Sequence, residues 1–266
     1  MGNTIQSKQT MDFALREMYE KWVKELESCA ETQYLLNEDY FSNPYYISTP
    51  NEWVDAKIKI LMVGQEGHGT FGSGKSDAWN YNDIEKIQAY NHKYLHIQWN
   101  SIKDDRKHHY NKSGFWNAFR KIKEKAEEAN TTVSCAWSNI DKIHRLGHGS
   151  NNCALLKNQR EDLHSTRTKV LLEEIRILKP DFVVFLGTHY TSLKYALNDN
   201  GAIKNWAESE WSQNKYSILV KNFDYTIESG ENKTTQLILR YFHPNAWKKY
   251  KGATYENDFL NYLFQN

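Results

Sequence analysis

The segment Leu172-Glu-Glu-Ile-Arg-Ile-Leu-Lys-Pro-Asp-Phe-Val-Val-Phe-Leu-Gly187 decides the fold class of this chain. Its first half closes a helical pattern that runs over residues 165–178. Its second half, from Asp181 to Leu186, is a short and mostly apolar run that stops at Gly187, which is typical of a buried strand. A helix that leads into a buried strand favours a mostly parallel α/β sheet with right-handed crossovers.

Strands and helices alternate along the rest of the chain as well. Further strands are predicted at residues 58–63, 131–140, 216–227 and 235–242, and further helices at residues 11–28, 115–129 and 255–264. We therefore predict one domain over residues 1–266, an α/β three-layer sandwich with a central, mostly parallel sheet of four to five strands. An N-terminal helical extension (1–57), ending in a Tyr- and Asn-rich loop, and an insertion of helix and loop (83–112) are expected to surround it.

Composition limits the classes of function. The formal net charge is +1, so binding to nucleic acid would need a local basic patch. The cysteines Cys29, Cys135 and Cys153 show no C-x-x-C spacing, which argues against a disulfide framework, a zinc knuckle and an iron–sulfur cluster. No apolar run approaches the roughly 18 residues of a membrane span, and no signal peptide is evident. We expect a cytoplasmic monomer with neither a membrane association nor an obligate protein partner.

Two strand ends carry residues capable of chemistry. One is Lys59-Ile-Leu-Met-Val-Gly-Gln-Glu-Gly-His68, and the other is Leu239-Arg-Tyr-Phe-His-Pro-Asn-Ala-Trp-Lys248. In an α/β sheet, functional groups gather beyond the carboxyl ends of the strands, so both segments can face one pocket. The carboxylate of Glu66 and the imidazole of His243 together suggest hydrolysis.

A nucleotide-binding pattern also occurs, because Gly69-Thr-Phe-Gly-Ser-Gly-Lys-Ser76 satisfies G-x-x-x-x-G-K-S. That mechanism requires the loop to leave its strand at once and to lead into a helix whose N-terminus binds phosphate. Here the strand ends at Gly64, five residues too early, and a poor helix follows Ser76. A P-loop nucleotide hydrolase is therefore a less favoured alternative, to be tested with Lys75→Ala.

Four segments in order resemble the uracil-DNA glycosylase superfamily. They span about residues 58–250 and are Val63-Gly-Gln-Glu66, Trp137-Ser-Asn-Ile-Asp-Lys142, the helix–strand unit Leu172–Gly187 and His243-Pro-Asn-Ala-Trp247. Members of this superfamily flip a nucleotide out of DNA and hydrolyse its N-glycosidic bond. The resemblance implies a uracil-DNA glycosylase-like fold and, since no lysine stands in an evident Schiff-base position, a monofunctional DNA glycosylase without metal or cofactor.

The resemblance also implies roles for individual residues. Glu66 would stabilise the positive charge on the sugar and orient a water molecule, and His243 would donate to the departing base. Asn139 would read the edge of a pyrimidine, since an amide both donates and accepts. The further base-binding candidates are Gln65, His68, Trp79 as the stacking ring and Phe71 as the second choice for it. The expected DNA contacts are Asn245, the wedge residue Trp247, Lys248, Lys249 and Lys251.

Departures from the family pattern bear on the substrate. Glu66 replaces Asp or Asn, Gly67 replaces Pro, His68 replaces the Tyr that excludes 5-substituted bases, and Asn245 replaces Ser. The substrate is then either uracil or a 5-modified cytosine, such as glucosylated hydroxymethylcytosine of phage DNA, in antiviral defence. A catalytically inert DNA-binding relative is the alternative from another class.

Other side chains have plainer interpretations beside these. The pairs His92/His96 and His144/His148 have the spacing of metal ligands, but without an evident third ligand we expect surface histidines. The lysines at 121, 123 and 125 form either a solvated helix face or a DNA contact. Asn139 also suits a helix cap or a turn.

Overall fold

A computed structural model describes residues 7–38, 40–64, 80–100, 114–146, 154–187, 190–197, 218–240 and 260–264. The strands are β1 (Ile58–Gly64), β2 (Val133–Asn139), β3 (Phe182–Leu186), β4 (Ile218–Thr226) and β5 (Asn232–Arg240). The helices are α1 (Lys8–Ser28), α2 (Tyr34–Asn37), α3 (Ile84–Asn100), α4 (Gly114–Glu128), α5 (Lys157–Leu163), α6 (Val170–Leu178) and α7 (Tyr190–Leu197), and residues 260–264 are also helical. No helix within these ranges is both long and apolar enough to cross a membrane.

The five strands form one sheet in the order β2-β1-β3-β5-β4, which confirms the predicted α/β class and its mostly parallel sheet. Four strands are parallel, and β4 runs antiparallel to β5. The chain passes from β1 outward to β2 and then back across β1 to β3. Because such crossovers are right-handed, the helices of the two connections cover opposite faces, as a three-layer sandwich requires. The connections after β1 and β3 leave in opposite directions, which opens a crevice at the carboxyl ends of these strands.

Burial explains why the strands were recognisable. Residues 60–64 of β1 are all buried, so this central strand is apolar on both faces. The edge strand β4 instead alternates, with Phe223 and Tyr225 buried and Asn222 and Asp224 exposed. Both patterns are direct consequences of the position of each strand in the sheet.

The N-terminal extension is packed into the core. Its Tyr- and Asn-rich segment, predicted as a loop over residues 34–50, begins with the short helix α2, and residues 43–50 are irregular as predicted. Every residue from 41 to 50 is nevertheless buried. The buried backbone finds partners in the turn after β2, where Tyr45 N donates to Lys142 O at 2.7 Å and Ser42 N donates to His144 O at 2.8 Å. The Tyr45 hydroxyl donates to Trp137 O at 2.9 Å. The extension therefore supports the carboxyl end of β2.

Among the described elements, the helices α2, α5 and α7 were not predicted, and several boundaries differ from the prediction. The helix predicted at 165–178 begins at Val170, because residues 166–168 form bends. Helix α5 lies in a stretch interpreted as a polar run, and its sequence KNQREDL has a single buried apolar residue, Leu163, so no periodicity marks it. Helix α7 follows β3 and was not predicted either.

Candidate functional site

The carboxyl edge of the sheet brings the described ends of three family-like segments close to the end of β5, the strand that precedes the fourth segment. Gly64 at the end of β1 pairs with Asn139 at the end of β2, and Ile140 N donates to Gly64 O at 2.9 Å. On the other side of β1, Val63 pairs with Phe185 of β3. Strand β3 pairs in turn with β5, whose last residue precedes the segment that contains His243. The parallel register thus aligns the described ends of the first three segments with the end of β5 along a single edge.

The side chain of Asn139 is held in one orientation. Asn139 is 1% exposed, and its Oδ1 accepts a hydrogen bond from Trp137 Nε1 at 3.2 Å. An indole nitrogen only donates, so the amide oxygen must face Trp137. The amide nitrogen Nδ2 is buried and has no hydrogen-bond partner within the described ranges. An unpaired buried donor costs about 1–3 kcal/mol, which a ligand acceptor at this edge would recover.

The side chain of Asn139 also explains the glycine at residue 64. A Cβ atom at this position would lie 2.7 Å from Asn139 Oδ1 and 3.8 Å from Phe115 Cε2. The first distance is shorter than a van der Waals contact, so a side chain at residue 64 would displace either the Asn139 amide or β1. The glycine of the first segment is therefore explained by close approach.

Aromatic rings enclose Trp137. The ring centroids of Tyr45 and Trp116 lie 4.6 and 4.8 Å from that of Trp137, and those of Tyr94 and Phe115 lie 6.0 and 6.2 Å away. Helices α3 and α4 therefore contribute an apolar flank to the edge where Asn139 lies. Phe115 was missed as a site residue because the sequence marks it only as one apolar position of an amphipathic helix.

A buried ion network lies under this edge. Glu174 of α6 accepts from Tyr19 Oη at 2.6 Å, from Ser138 Oγ at 2.6 Å and from Lys142 Nζ at 2.7 Å. Lys142 also donates to Ser138 Oγ. Burial lowers the pKa of Lys142, and the charge of Glu174 opposes that shift. Burial also raises the pKa of Tyr19, and Glu174 raises it further. The network joins α1 and α6 to the residue that precedes Asn139.

A second buried carboxylate, Asp141, follows β2 directly. Its side chain is 0% exposed and accepts from Arg160 Nε at 2.9 Å, and Nε2 of His164 lies 3.1 Å from its other oxygen. Burial alone would raise the pKa of Asp141, but the hydrogen bond and charge of His164 and the charge of Arg160 outweigh burial and hold that pKa below its ordinary value.

This lowered pKa predicts a loss of stability in acid. Asp141 binds a proton more readily in the unfolded chain than in the folded protein, so its contribution is complete above about pH 4 and is lost as the pH falls through the folded-state pKa. We expect the urea-derived free energy of unfolding to fall more steeply below that pH in the wild type than in Asp141→Asn. Equal slopes in the two proteins would contradict this assignment, since the other carboxyl groups are common to both.

Most predicted site residues lie outside the described part of the chain. Asn139 is described, whereas the catalytic candidates Glu66 and His243 lie outside it. Outside it also lie Gln65, His68, Phe71, Trp79, Asn245, Trp247, Lys248, Lys249, Lys251, His148 and the Gly69–Ser76 loop.

The described histidines and lysines have local partners. His144 is 2% exposed, so its assignment to the surface was wrong. His92 Nε2 lies 3.1 Å from Asn51 Oδ1. Lys123 donates to Trp99 O at 3.4 Å, and Lys125 pairs with Glu128. No group of three or more potential metal ligands occurs within the described ranges.

No model of a known protein family matches this chain, and no curated protein is significantly similar to it in sequence. Its function therefore has to follow from the chemistry at the carboxyl edge. The described part of that edge provides an oriented amide with an unused donor, an apolar flank and two buried carboxylates that hold cationic side chains. Such a site suits a planar ligand with hydrogen-bonding groups along one edge.

Proposed function

We propose that this protein is a monofunctional DNA glycosylase that flips a pyrimidine nucleotide out of DNA and hydrolyses its N-glycosidic bond. The observation that carries the proposal is the oriented Asn139 amide, whose buried Nδ2 has no partner within the described ranges. A base edge supplies an acceptor for such a donor. The alignment of the first three family-like segments with the end of β5 along one sheet edge supports the same proposal.

Glu66 and His243 carry the chemistry in this proposal. As the bond between C1′ and the base nitrogen breaks, positive charge develops on the sugar and negative charge on the base. The carboxylate of Glu66 stabilises the sugar and accepts a proton from the water that attacks C1′. His243 donates a hydrogen bond to the base oxygen, where the charge accumulates. The products are a free base and an abasic site.

The orientation of Asn139 favours one of the two substrate classes. With Oδ1 toward Trp137, Nδ2 suits the O4 acceptor of uracil, and the second lone pair of Oδ1 suits N3–H. A cytosine in the same pose would require the amide to rotate, which breaks the bond to Trp137. Leaving that indole unpaired costs about 1–3 kcal/mol, or roughly 5- to 150-fold in rate. We therefore rank uracil and 5-substituted uracils above 5-modified cytosines.

Trp137→Phe tests this ranking. Without the indole N–H the amide can rotate, so the ratio of base-release rates for uracil over cytosine substrates is expected to fall by about 10-fold or more. Trp116→Phe changes the same aromatic cluster and leaves the Trp137–Asn139 bond in place, so it serves as the matched control. An unchanged ratio in Trp137→Phe would contradict the role of the indole.

The activity itself is tested by release of free base from DNAs containing uracil, mismatched thymine, hydroxymethylcytosine or glucosylated hydroxymethylcytosine. Abasic sites are then detected by alkaline cleavage. Asn139→Ala is expected to lower the rate on the preferred substrate by about 100-fold, and Glu66→Gln and His243→Ala are expected to abolish detectable release. DNA binding without release from any substrate would instead identify an inert DNA-binding relative.

A further inference from the structure

Arg160 presents a pre-oriented guanidinium beside the candidate site. Its Nε donates to Asp141 at 2.9 Å, and the side chains of Arg160 and Asp141 are 19% and 0% exposed. A guanidinium has five N–H donors. Asp141 uses the Nε donor, and the terminal NH1 and NH2 groups have no partner among the residues that the structure describes. The hydrogen bond to Asp141 therefore orients the guanidinium and leaves NH1 and NH2 available to bind a ligand.

The acidic groups of α5 do not compete for NH1 and NH2. Glu161 accepts from Tyr195 Oη at 2.9 Å and lies 3.8 Å from Lys157 Nζ. Asp162 accepts from Tyr34 Oη at 2.8 Å. Neither forms an ion pair with Arg160 within the described ranges. The free end of Arg160 thus suits a ligand with paired, negatively charged oxygens, since its planar fork matches phosphate geometry.

The position of Arg160 places this group close to Asn139. Asp141 is two residues beyond Asn139, so their Cα atoms lie at most about 7 Å apart. Adding the Asp141–Arg160 bond puts the guanidinium within about 15 Å of Asn139. Each strand of duplex DNA carries one phosphate for about every 3.4 Å of helix axis. A nucleotide held at Asn139 therefore brings backbone phosphates within range of Arg160.

We propose that Arg160, oriented by Asp141, binds a backbone phosphate of the DNA next to the nucleotide held at Asn139. The identity of the ligand rests on the proposed function. His164 completes the arrangement by occupying the other oxygen of Asp141, and its Nδ1 has no partner within the described ranges. Asp141 thus holds two side chains, one on each of its carboxylate oxygens.

The test is fluorescence anisotropy of a labelled short DNA duplex at several salt concentrations. Arg160→Gln is expected to raise Kd by about 10-fold at low salt and to reduce the slope of log K against log salt by about 0.9, equally for all sequences. Lys157→Gln is the matched control, since Lys157 lies on the same helix and is 84% exposed; its slope is expected to equal that of the wild type.

Arg160→Lys keeps the charge but loses the fork, so its Kd is expected to rise by a few-fold while its salt slope stays near the wild-type value. If Arg160→Gln fails to fold, the Kd of Arg160→Lys tests the proposal instead. Wild-type Kd and slope in the Arg160 variants, or equal changes in Lys157→Gln, would overturn the proposal. Base release distinguishes the failure of each proposal. If the salt slope depends on Arg160 but no base is released, the phosphate contact is supported and the glycosylase activity is not. If base is released but the salt slope does not depend on Arg160, only the phosphate contact is contradicted.

Discussion

Replacing Lys142 by methionine is expected to lower the free energy of unfolding by about 3–5 kcal/mol. The side chains of Lys142 and Glu174 are 2% and 0% exposed, so the variant leaves a carboxylate in the core without its counter-ion. The hydrogen bonds from Tyr19 and Ser138 remain, but they do not supply a positive charge. Urea unfolding followed by tryptophan fluorescence measures this loss.

The double variant Lys142→Met/Glu174→Leu distinguishes the loss of the counter-ion from a steric effect of the methionine side chain. A buried pair replaced by apolar side chains of similar size is often close to neutral, so the double variant is expected to be more stable than Lys142→Met. Recovery should be partial, because Tyr19 and Ser138 then lose their acceptor. Lys125→Met is the control: its partner Glu128 is 63% exposed, and the expected loss is under about 1 kcal/mol. A similar loss in Lys142→Met and Lys125→Met would contradict the buried-pair interpretation.

The sheet was predictable because its central strands are continuous apolar runs. Strand β3 was predicted within one residue, and β1 was predicted to within its last glycine. The ion network was not predictable, since Tyr19 and Glu174 are separated by 155 residues and Lys142 and Glu174 appear in the sequence as ordinary surface charges. No local sequence pattern identifies contacts between residues so far apart in the chain. Tyr19 and Glu174 meet only because α1 packs against α6.

The candidate site was predictable in part. Asn139 was identified through the family resemblance, and its contact with Trp137 follows from strand geometry, because residues two apart lie on the same face. The contact between Gly64 and Asn139 depends on the register of β1 against β2, which the sequence does not specify. The Asp141–Arg160 pair depends on α5, a helix without an apolar stripe. These contacts could therefore be identified only from the three-dimensional structure.

Gly64→Ala is expected to lower base release by about 100-fold, because displacing a reactive geometry by about 1 Å has effects of that size. The new Cβ would lie 2.7 Å from Asn139 Oδ1, and that oxygen cannot retreat without losing Trp137 Nε1. The accompanying loss of stability should be about 1–3 kcal/mol, so the protein still folds. Single-turnover release under saturating enzyme measures the first effect. The indole N–H resonance of Trp137, assigned with Trp137→Phe, is expected to move upfield whether or not the protein is an enzyme.

Gly230→Ala makes the same chemical change away from the site. Gly230 lies in the β4–β5 turn at φ +82°, and apart from Gly230 itself and its two chain neighbours no atom of the described residues lies within 4 Å of a Cβ placed there. Its cost is backbone strain of about 1–2 kcal/mol without a steric clash, so the two variants lose similar stability by different routes. Base release and the Trp137 resonance are expected to stay at wild-type values in Gly230→Ala. If both variants lose release in proportion to their loss of stability, the effect of Gly64→Ala is general destabilisation, and the close approach of β1 to Asn139 does not position the amide.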